Sequence, residues 1–404
     1  MPGSHRQARI SVRTPVSTPQ DSPGKPRWVD RHQSLAAALI VMFSMFSPAI
    51  DLRPKPLLPA RYEMAEPSDP PDLGPDLSME DTVAKSETAA VTKAGETAPF
   101  VPANPHPFRS AEARKRYLAL YDARAQLWPV PSQKQMVSGA YGQTFVRISG
   151  PADAPPLVLL HGISSNSLAW LPNVEALSAH YRVYAVDHIF DFGRSIYTRP
   201  LRSADDHLAW LDELFNTLGL NGAVRLVGLS YGGWLAARYA LHAPERVAGL
   251  AMLAPVCTVR PLAPGWMARA ILCALPHPWF ARNFLRWLLP DLAARGGPPG
   301  SSFNDTLREA LAAMRAFKSR RLVPANVLSD VELSAIKMPA LFMVGVNEKI
   351  YSPQKACERL TEVAPQIRTR LLPDCGHDLS VVQAALVNRE VVGFFDALQS
   401  GKPT

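Results

Sequence analysis

Short apolar runs recur along the chain from residue 157 onward, with amphipathic stretches between them. Leu157–Leu160, Arg182–Val186, Val224–Leu229, Ala248–Leu253, Ala340–Val344 and Thr369–Leu372 each read as strands, and most are apolar on both faces. A strand covered on two sides gives such a continuous run, whereas a half-buried one alternates, as Gln143–Ile148 does before Gly150 and Pro151 end it. Between the runs, Asp205–Leu218 places Leu208, Leu211, Leu214, Phe215 and Leu218 on one helical face. Ser110 opens a further helical stretch with tyrosines on one side and Arg and Lys on the other. Strands alternating with helices predict an α/β fold, a mainly parallel sheet flanked by helices.

The alternation breaks after Pro255. About 80 residues, Val256 to Lys337, separate two strands that elsewhere lie 20–40 apart. Their periodicity is helical, and they hold Trp266, Trp279, Phe280, Phe284 and Trp287. An inserted helical cap over the ligand-binding edge of the sheet explains both the length and the aromatics. Trp266, Trp279 and Trp287 are therefore candidate substrate-binding residues. The core is then 108–255 with 338–404, and the cap 256–337.

The front of the chain follows neither pattern. Leu35–Phe46 is an uncharged apolar stretch behind a basic segment, and small residues follow at Ser47 and Ala49. That is the layout of a secretory signal, with an unusually long basic region. It is short of the ~20 residues that span a bilayer comfortably, so an uncleaved N-terminal membrane anchor is the alternative. Residues 1–50 thus predict export, to the periplasm, the medium or the membrane surface. A cytoplasmic protein would instead bury this stretch as a core helix. Residues 51–107 carry eleven prolines, ten acidic groups and five basic ones. Such a composition cannot bury enough apolar surface to offset its ordering entropy, and it predicts a disordered linker. The folded part is expected to begin near Phe108.

Composition narrows the classes. The chain has 404 residues, a length suited to two or three domains of roughly 150 or to one α/β domain with an insertion. Its hydrophobic share of 47% can build a large core. The 39 prolines lack a Gly-X-Y period, which excludes collagen, and no internal repeat is present. Four cysteines without a CxxC pair exclude a disulfide scaffold and give no zinc signature, so no metal is expected. The net charge of +8 contains +4 from the first 33 residues. Beyond those residues no basic stripe with interleaved aromatics appears, so no nucleic-acid partner is expected.

The candidate chemistry sits at Gly228-Leu229-Ser230-Tyr231-Gly232, between a strand and a helix. A sharp turn there lifts a serine hydroxyl clear of the sheet, and the flanking glycines let the backbone pass closely. A serine needs a base. Of the ten histidines only His242, His277 and His377 follow it, as the order serine, acid, histidine requires. His242 ends the helix leaving the turn and His277 lies in the cap, whereas His377 follows the last strand and returns to the same edge. The acid is expected in the loop after Ala340–Val344, where Glu348 is the one carboxylate. Asp374 and Asp378 are the rival carboxylates, disfavoured by their closeness to the histidine along the backbone. The loop at His161-Gly162 and the residue after the serine nominate the N–H groups of Ile163 and Tyr231 as an oxyanion hole. His161 and Asp187 read as structural, and the four cysteines as packing residues.

These motifs, in this order, resemble the α/β-hydrolase superfamily over about three quarters of the chain, from near residue 108 to the end. More closely the chain is similar to bacterial carboxylesterases of the naproxen-esterase type. WPVP at 128–131, the Gly345–Tyr351 loop and a glutamate acid all match that group. The resemblance implies a cofactor-free serine hydrolase that cleaves carboxylic esters through an acyl-enzyme, with a small-molecule ester as its partner. The aromatic cap points to bulky apolar or aryl esters. Acyl transfer and C–C bond hydrolysis use the same triad, and a non-enzymatic binding module is the rival of another class. Dehalogenase and epoxide hydrolase chemistry would need Asp where Ser230 stands. Oligomeric state is not legible.

Overall fold

The computed structural model describes residues 107–273, 277–318 and 322–399. The basic leader, its apolar stretch and the Pro-rich segment up to residue 106 lie outside the described residues. Nine strands form one sheet: β1 (Ser132–Gly139), β2 (Gly142–Ser149), β3 (Pro156–Leu160), β4 (Arg182–Val186), β5 (Ile196–Tyr197), β6 (Val224–Leu229), β7 (Val247–Leu253), β8 (Ala340–Gly345) and β9 (Ile367–Leu372). Their order is β1-β2-β4-β3-β6-β7-β8-β9, and β5 pairs with β2. The β1–β2, β2–β4 and β2–β5 pairs are antiparallel. Every pair from β4 to β9 is parallel.

Each apolar run of the sequence is one of these strands, because a strand covered by helices on both faces needs apolar side chains at every position. Leu157–Leu160 and all of β8 are buried. Besides the two-residue β5, the strand without such a signal is β1. It is a polar edge strand with Val137 its only buried residue, held by pairing along β2.

Helices α1 (Ala111–Ala125), α2 (Val174–Ser178), α3 (Ala204–Thr217) and α4 (Tyr231–His242) flank the first part of the sheet. Ser203 caps α3 by accepting the N–H of Asp206, which answers with its own carboxylate. Between β7 and β8 the chain forms α5 (Pro264–Cys273), α6 (Pro278–Leu288), α7 (Pro290–Arg295), α8 (Phe303–Ala316) and α9 (Asp330–Ser334). The four helices from α5 to α8 make the cap, whereas α9 packs on α10 (Pro353–Val363) in the core layer. The chain closes with α11 (Leu379–Val382) and α12 (Ala384–Gln399). Among the described residues no helix is long and apolar enough to cross a membrane.

The first helix joins core to cap. Phe108 is buried, bridges to Phe317 at the end of α8, and stacks on its ring at 4.4 Å. Tyr117 meets the same ring edge-on at 4.9 Å, and Tyr121 hydrogen-bonds to Asp187 beyond β4 at 3.2 Å. The described residues thus open with a segment packed on the cap, Pro107 O accepting the N–H of Lys318 at 2.8 Å and the Arg109 N–H donating to Ala316 O at 2.8 Å.

Candidate active site

The chain reverses direction across the sheet at β3: β4 lies on one side of it and β6 on the other. Ligands of such sheets bind outside the carboxyl ends of the strands at this switch point. His161-Gly162 leaves β3 there and Ser230 leaves β6, with Leu160 opposite Gly228 in the register.

Ser230 takes φ 53° and ψ −113°, a left-handed conformation that costs a non-glycine residue on the order of 1–3 kcal/mol. The turn is held from below. The Ser230 N–H donates to Leu253 O at 2.9 Å, and its carbonyl accepts from Trp234 and Val256, each at 3.1 Å. The glycines are steric necessities: a Cβ on Gly228 would lie 2.2 Å from Gly232 O, and one on Gly232 would lie 2.1 Å from Leu160 O. Gly162 comes so close that its own Cβ would sit 3.3 Å from that of Ser230. The hydroxyl accepts and donates no hydrogen bond among the described residues, a contact that in such sites commonly tightens only with substrate bound.

Glu348 and His377 come together as expected. His377 Nδ1–H donates to Glu348 Oε2 at 2.8 Å, and the glutamate side chain is fully buried. Its other oxygen, Oε1, accepts the N–H groups of Lys349 at 2.8 Å and Ile350 at 3.0 Å. Burial disfavours a charged His377, but the carboxylate of Glu348 outweighs it through its charge and hydrogen bond, with Asp378 adding to the effect. The pKa of His377 is raised above 6.5.

Of the two rival carboxylates, Asp378 points elsewhere. Asp378 Oδ2 accepts the N–H of Leu292 at 2.7 Å and Oδ1 that of Gly376 at 3.1 Å. The two other histidines that follow Ser230 are occupied as well. His242 bonds Asp212 at 3.0 Å, and His277 caps α6 by accepting from Trp279 N. Burial holds His188 well below 6.5 and lowers His207 to about 4. His161 donates Nδ1–H to Gly162 O at 2.7 Å and accepts the His188 N–H on Nε2 at 3.0 Å, a structural role in one tautomer. Burial pushes the thiols of Cys257, Cys273 and Cys375 up to about 12, which leaves them poor nucleophiles.

Neither Ile163 nor Tyr231 donates its backbone N–H to another group among the described residues; Tyr231 follows Ser230 directly, and Ile163 follows Gly162, which abuts it. The Tyr231 ring is pinned by its hydroxyl, which donates to Val323 O at 2.8 Å. The loop carrying Ile163 is fixed on several sides. Asp191 accepts Ser164 N–H at 2.8 Å, and Asp187 accepts those of Ser167 at 2.7 Å and Arg194 at 2.8 Å. Asn166 donates to Glu309 on α8, and Glu309 also receives Arg124 from α1. Arg124, Asn166 and Glu309 were not legible beforehand, because single polar residues far apart in the chain carry no periodic signal.

The cap aromatics divide into two environments. Trp266 and Phe284 meet at 6.2 Å, Phe284 and Trp287 at 6.3 Å, and Arg269 lies 4.8 Å over the Trp287 ring. Trp279 is 57% exposed and stands on the outer surface. No group of His, Cys, Asp and Glu among the described residues could hold a metal ion.

A parallel sheet with a serine on a strained turn after one strand, and a buried carboxylate–histidine pair after two others, defines an α/β hydrolase. A model of the alpha/beta hydrolase family matches residues 157–390, and the chain belongs to that family. Its relatives include two proteins of Bacillus subtilis strain 168. One, carboxylesterase YbfK, is 33% identical over 71% of this chain and 96% of its own length. The other, named uncharacterized carboxylesterase nap, is 34% identical over 70% of this chain and 93% of its own. Among solved structures, naproxen esterase (carboxylesterase NP) from Bacillus subtilis is similar with a TM-score of 0.64. It is 32% identical, and the match covers 70% of this chain and 99% of that one.

Proposed function

We propose that this protein is a serine carboxylesterase. Family membership alone would not fix the reaction, since one fold hosts many. The observation that carries the reading is the left-handed Ser230 beneath Gly162, together with the Glu348–His377 hydrogen bond of 2.8 Å. In this reading Ser230 Oγ attacks the ester carbonyl carbon as His377 Nε2 takes its proton. Glu348 keeps the imidazole in the tautomer whose Nε2 can accept, and stabilises the imidazolium. The N–H groups of Ile163 and Tyr231 receive the negative charge that develops on the carbonyl oxygen. His377 then returns the proton to the departing alkoxide, and water cleaves the acyl-enzyme by the same steps in reverse.

The substrate class we assign is esters with a bulky apolar or aryl acyl group. The stacked Trp266, Phe284 and Trp287 of the cap and the similarity to a naproxen esterase support it. We also assign the chain to the exported proteins on the apolar stretch at 35–46, with the N-terminus as its contact with the membrane.

Labelling with a fluorophosphonate probe, followed by a scan of chromogenic esters, tests the reading. The parent chain should be labelled, Ser230→Ala should not, and aryl-acyl esters should exceed acetate in kcat/KM. Equal labelling of Ser230→Ala would remove the nucleophile, and a preference for acetate would remove the substrate class.

A further inference from the structure

The loops of the acid and the base are joined to the cap at one point. In α7, Pro290 has no N–H, and the free first-turn N–H of Leu292 is taken by Asp378 Oδ2 at 2.7 Å. The other oxygen of Asp378 accepts from Gly376, so one carboxylate spans His377 on its own loop and reaches into the cap. Asp378 is 3% exposed and Leu292 2%. A second, weaker arm runs beside it: Asn347, next to Glu348, donates Nδ2–H to Asp291 at 3.3 Å, and its backbone N–H donates to Cys375 O at 2.9 Å. The two loops also touch directly, since a Cβ on Gly345 would lie 2.2 Å from Cys375 O.

A carboxylate is a costly group to bury, because both oxygens must recover the hydrogen bonds they had in water. Asp378 does so with two backbone N–H groups on two different elements. Burial moves its pKa up from the ordinary carboxylate value, and nearby Asp291 adds to the effect while the N–H bonds from Leu292 and Gly376 oppose it. A capping role for α7 alone would be served by any residue of the cap. A residue directly after the base does something more, since a displacement of α7 then pulls on the backbone that carries the imidazole.

We propose that Asp378 is a positioning residue of the triad, clamping the base loop to cap helix α7 so that the cap and the His377 imidazole move together. The proposal rests on His377 being the base. Substrates that seat the cap would thereby set the base, and small esters that do not reach the cap would rely on the clamp alone. The charged groups around this junction are Glu348 and Asp378 beside His377, with Asp291, Arg295 and Asp374 behind them.

The test uses the full chain with Asp378→Asn, Asn347→Ala and His377→Gln, reading kcat, KM and the acid limb of kcat/KM on a small chromogenic ester. Asp378→Asn keeps the shape but replaces one acceptor oxygen by a donor and removes a negative charge near the imidazole. We expect kcat to fall about tenfold or more, as a base displaced by a fraction of an ångström allows, with KM little changed. The sign of the pH effect is the discriminating readout. The Asp378 charge favours protonated His377, so without it the imidazole loses its proton at lower pH and the acid limb moves down. Loss of folded protein alone would scale the profile without moving it. Asn347→Ala, at an exposed position, should lower kcat by a smaller factor with the limb in place, and it decides the matter if Asp378→Asn does not fold. Parent-like kcat in both variants, or a scaled profile with an unmoved limb in Asp378→Asn, overturns the clamp. Activity surviving in His377→Gln would instead overturn the triad.

Discussion

Replacing Glu348 by Gln isolates one charge and one tautomer. The carboxylate holds three donors: Lys349 and Ile350 N–H on Oε1, and His377 Nδ1–H on Oε2. A glutamine placed there must turn its carbonyl oxygen toward the two backbone donors. The reverse orientation would aim its NH2 at both of them and leave two buried N–H groups unpaired, at about 1–3 kcal/mol each. The amide nitrogen therefore faces His377, and Nδ1 must become an acceptor. The proton then sits on Nε2, the atom that has to take a proton from Ser230. Loss of the orienting carboxylate in such triads costs on the order of 10⁴ in kcat, or about 5.5 kcal/mol at 1.36 kcal/mol per decade. A solvated loop glutamate would cost about 0.5 kcal/mol of stability or less. Steady-state kcat on a chromogenic ester, at the pH plateau of the parent, separates the two by several decades. Glu348→Asp should retain more activity than Glu348→Gln, since it keeps the charge and shortens the reach by one methylene. A Glu348→Gln enzyme within threefold of the parent would refute the assignment.

Two further outcomes follow from packing. Gly232→Ala should yield insoluble or inactive protein, because its Cβ would meet Leu160 O at 2.1 Å, whereas Gly393→Ala, exposed in α12 with nothing within 4 Å, should raise stability by about 0.5–1 kcal/mol in a denaturant titration. Arg124→Met leaves Glu309 with a buried charge that has lost its cation, so stability should fall by roughly 3 kcal/mol, and an unchanged urea midpoint would show that the pair contributes nothing.

The parallel strands inside the sheet were legible because they fill two buried faces with apolar residues, whereas edge strand β9, with Arg368, Thr369 and Arg370 half-buried, showed only its last residues; the strand ends in the structure match the runs to within a residue or two. The polar β1 and the two-residue β5 were not. Their places come from pairing with β2, a tertiary fact that SQKQMVSG does not encode locally. The meeting of Glu348 and His377 was readable because the fold brings the ends of particular strands to one edge, so sequence order stands in for spatial proximity. Asp378 was readable only as a rival acid. Its carboxylate turns to α7 because a free N–H waits there, and nothing near residue 378 announces a partner 86 positions earlier. Trp279 carried an apolar signal like that of Trp266 and Trp287, yet it is exposed. An aromatic residue on an amphipathic helix does not reveal which face the cap turns inward.

The link from Arg124 and Asn166 to Glu309 bears on how such a protein could be re-engineered. Caps inserted between two core strands invite exchange between relatives as self-contained cassettes. Here the last cap helix shares its buried glutamate with the first helix of the chain and with the loop that follows β3. Phe317 at its end is covered by Phe108 and Tyr117. The exchangeable unit is therefore discontinuous: a transplanted cap must bring residues 108–125 with it, together with a partner for Asn166. A graft cut only at the cap's own boundaries would expose two aromatic rings and strand a carboxylate beside the loop of Ile163.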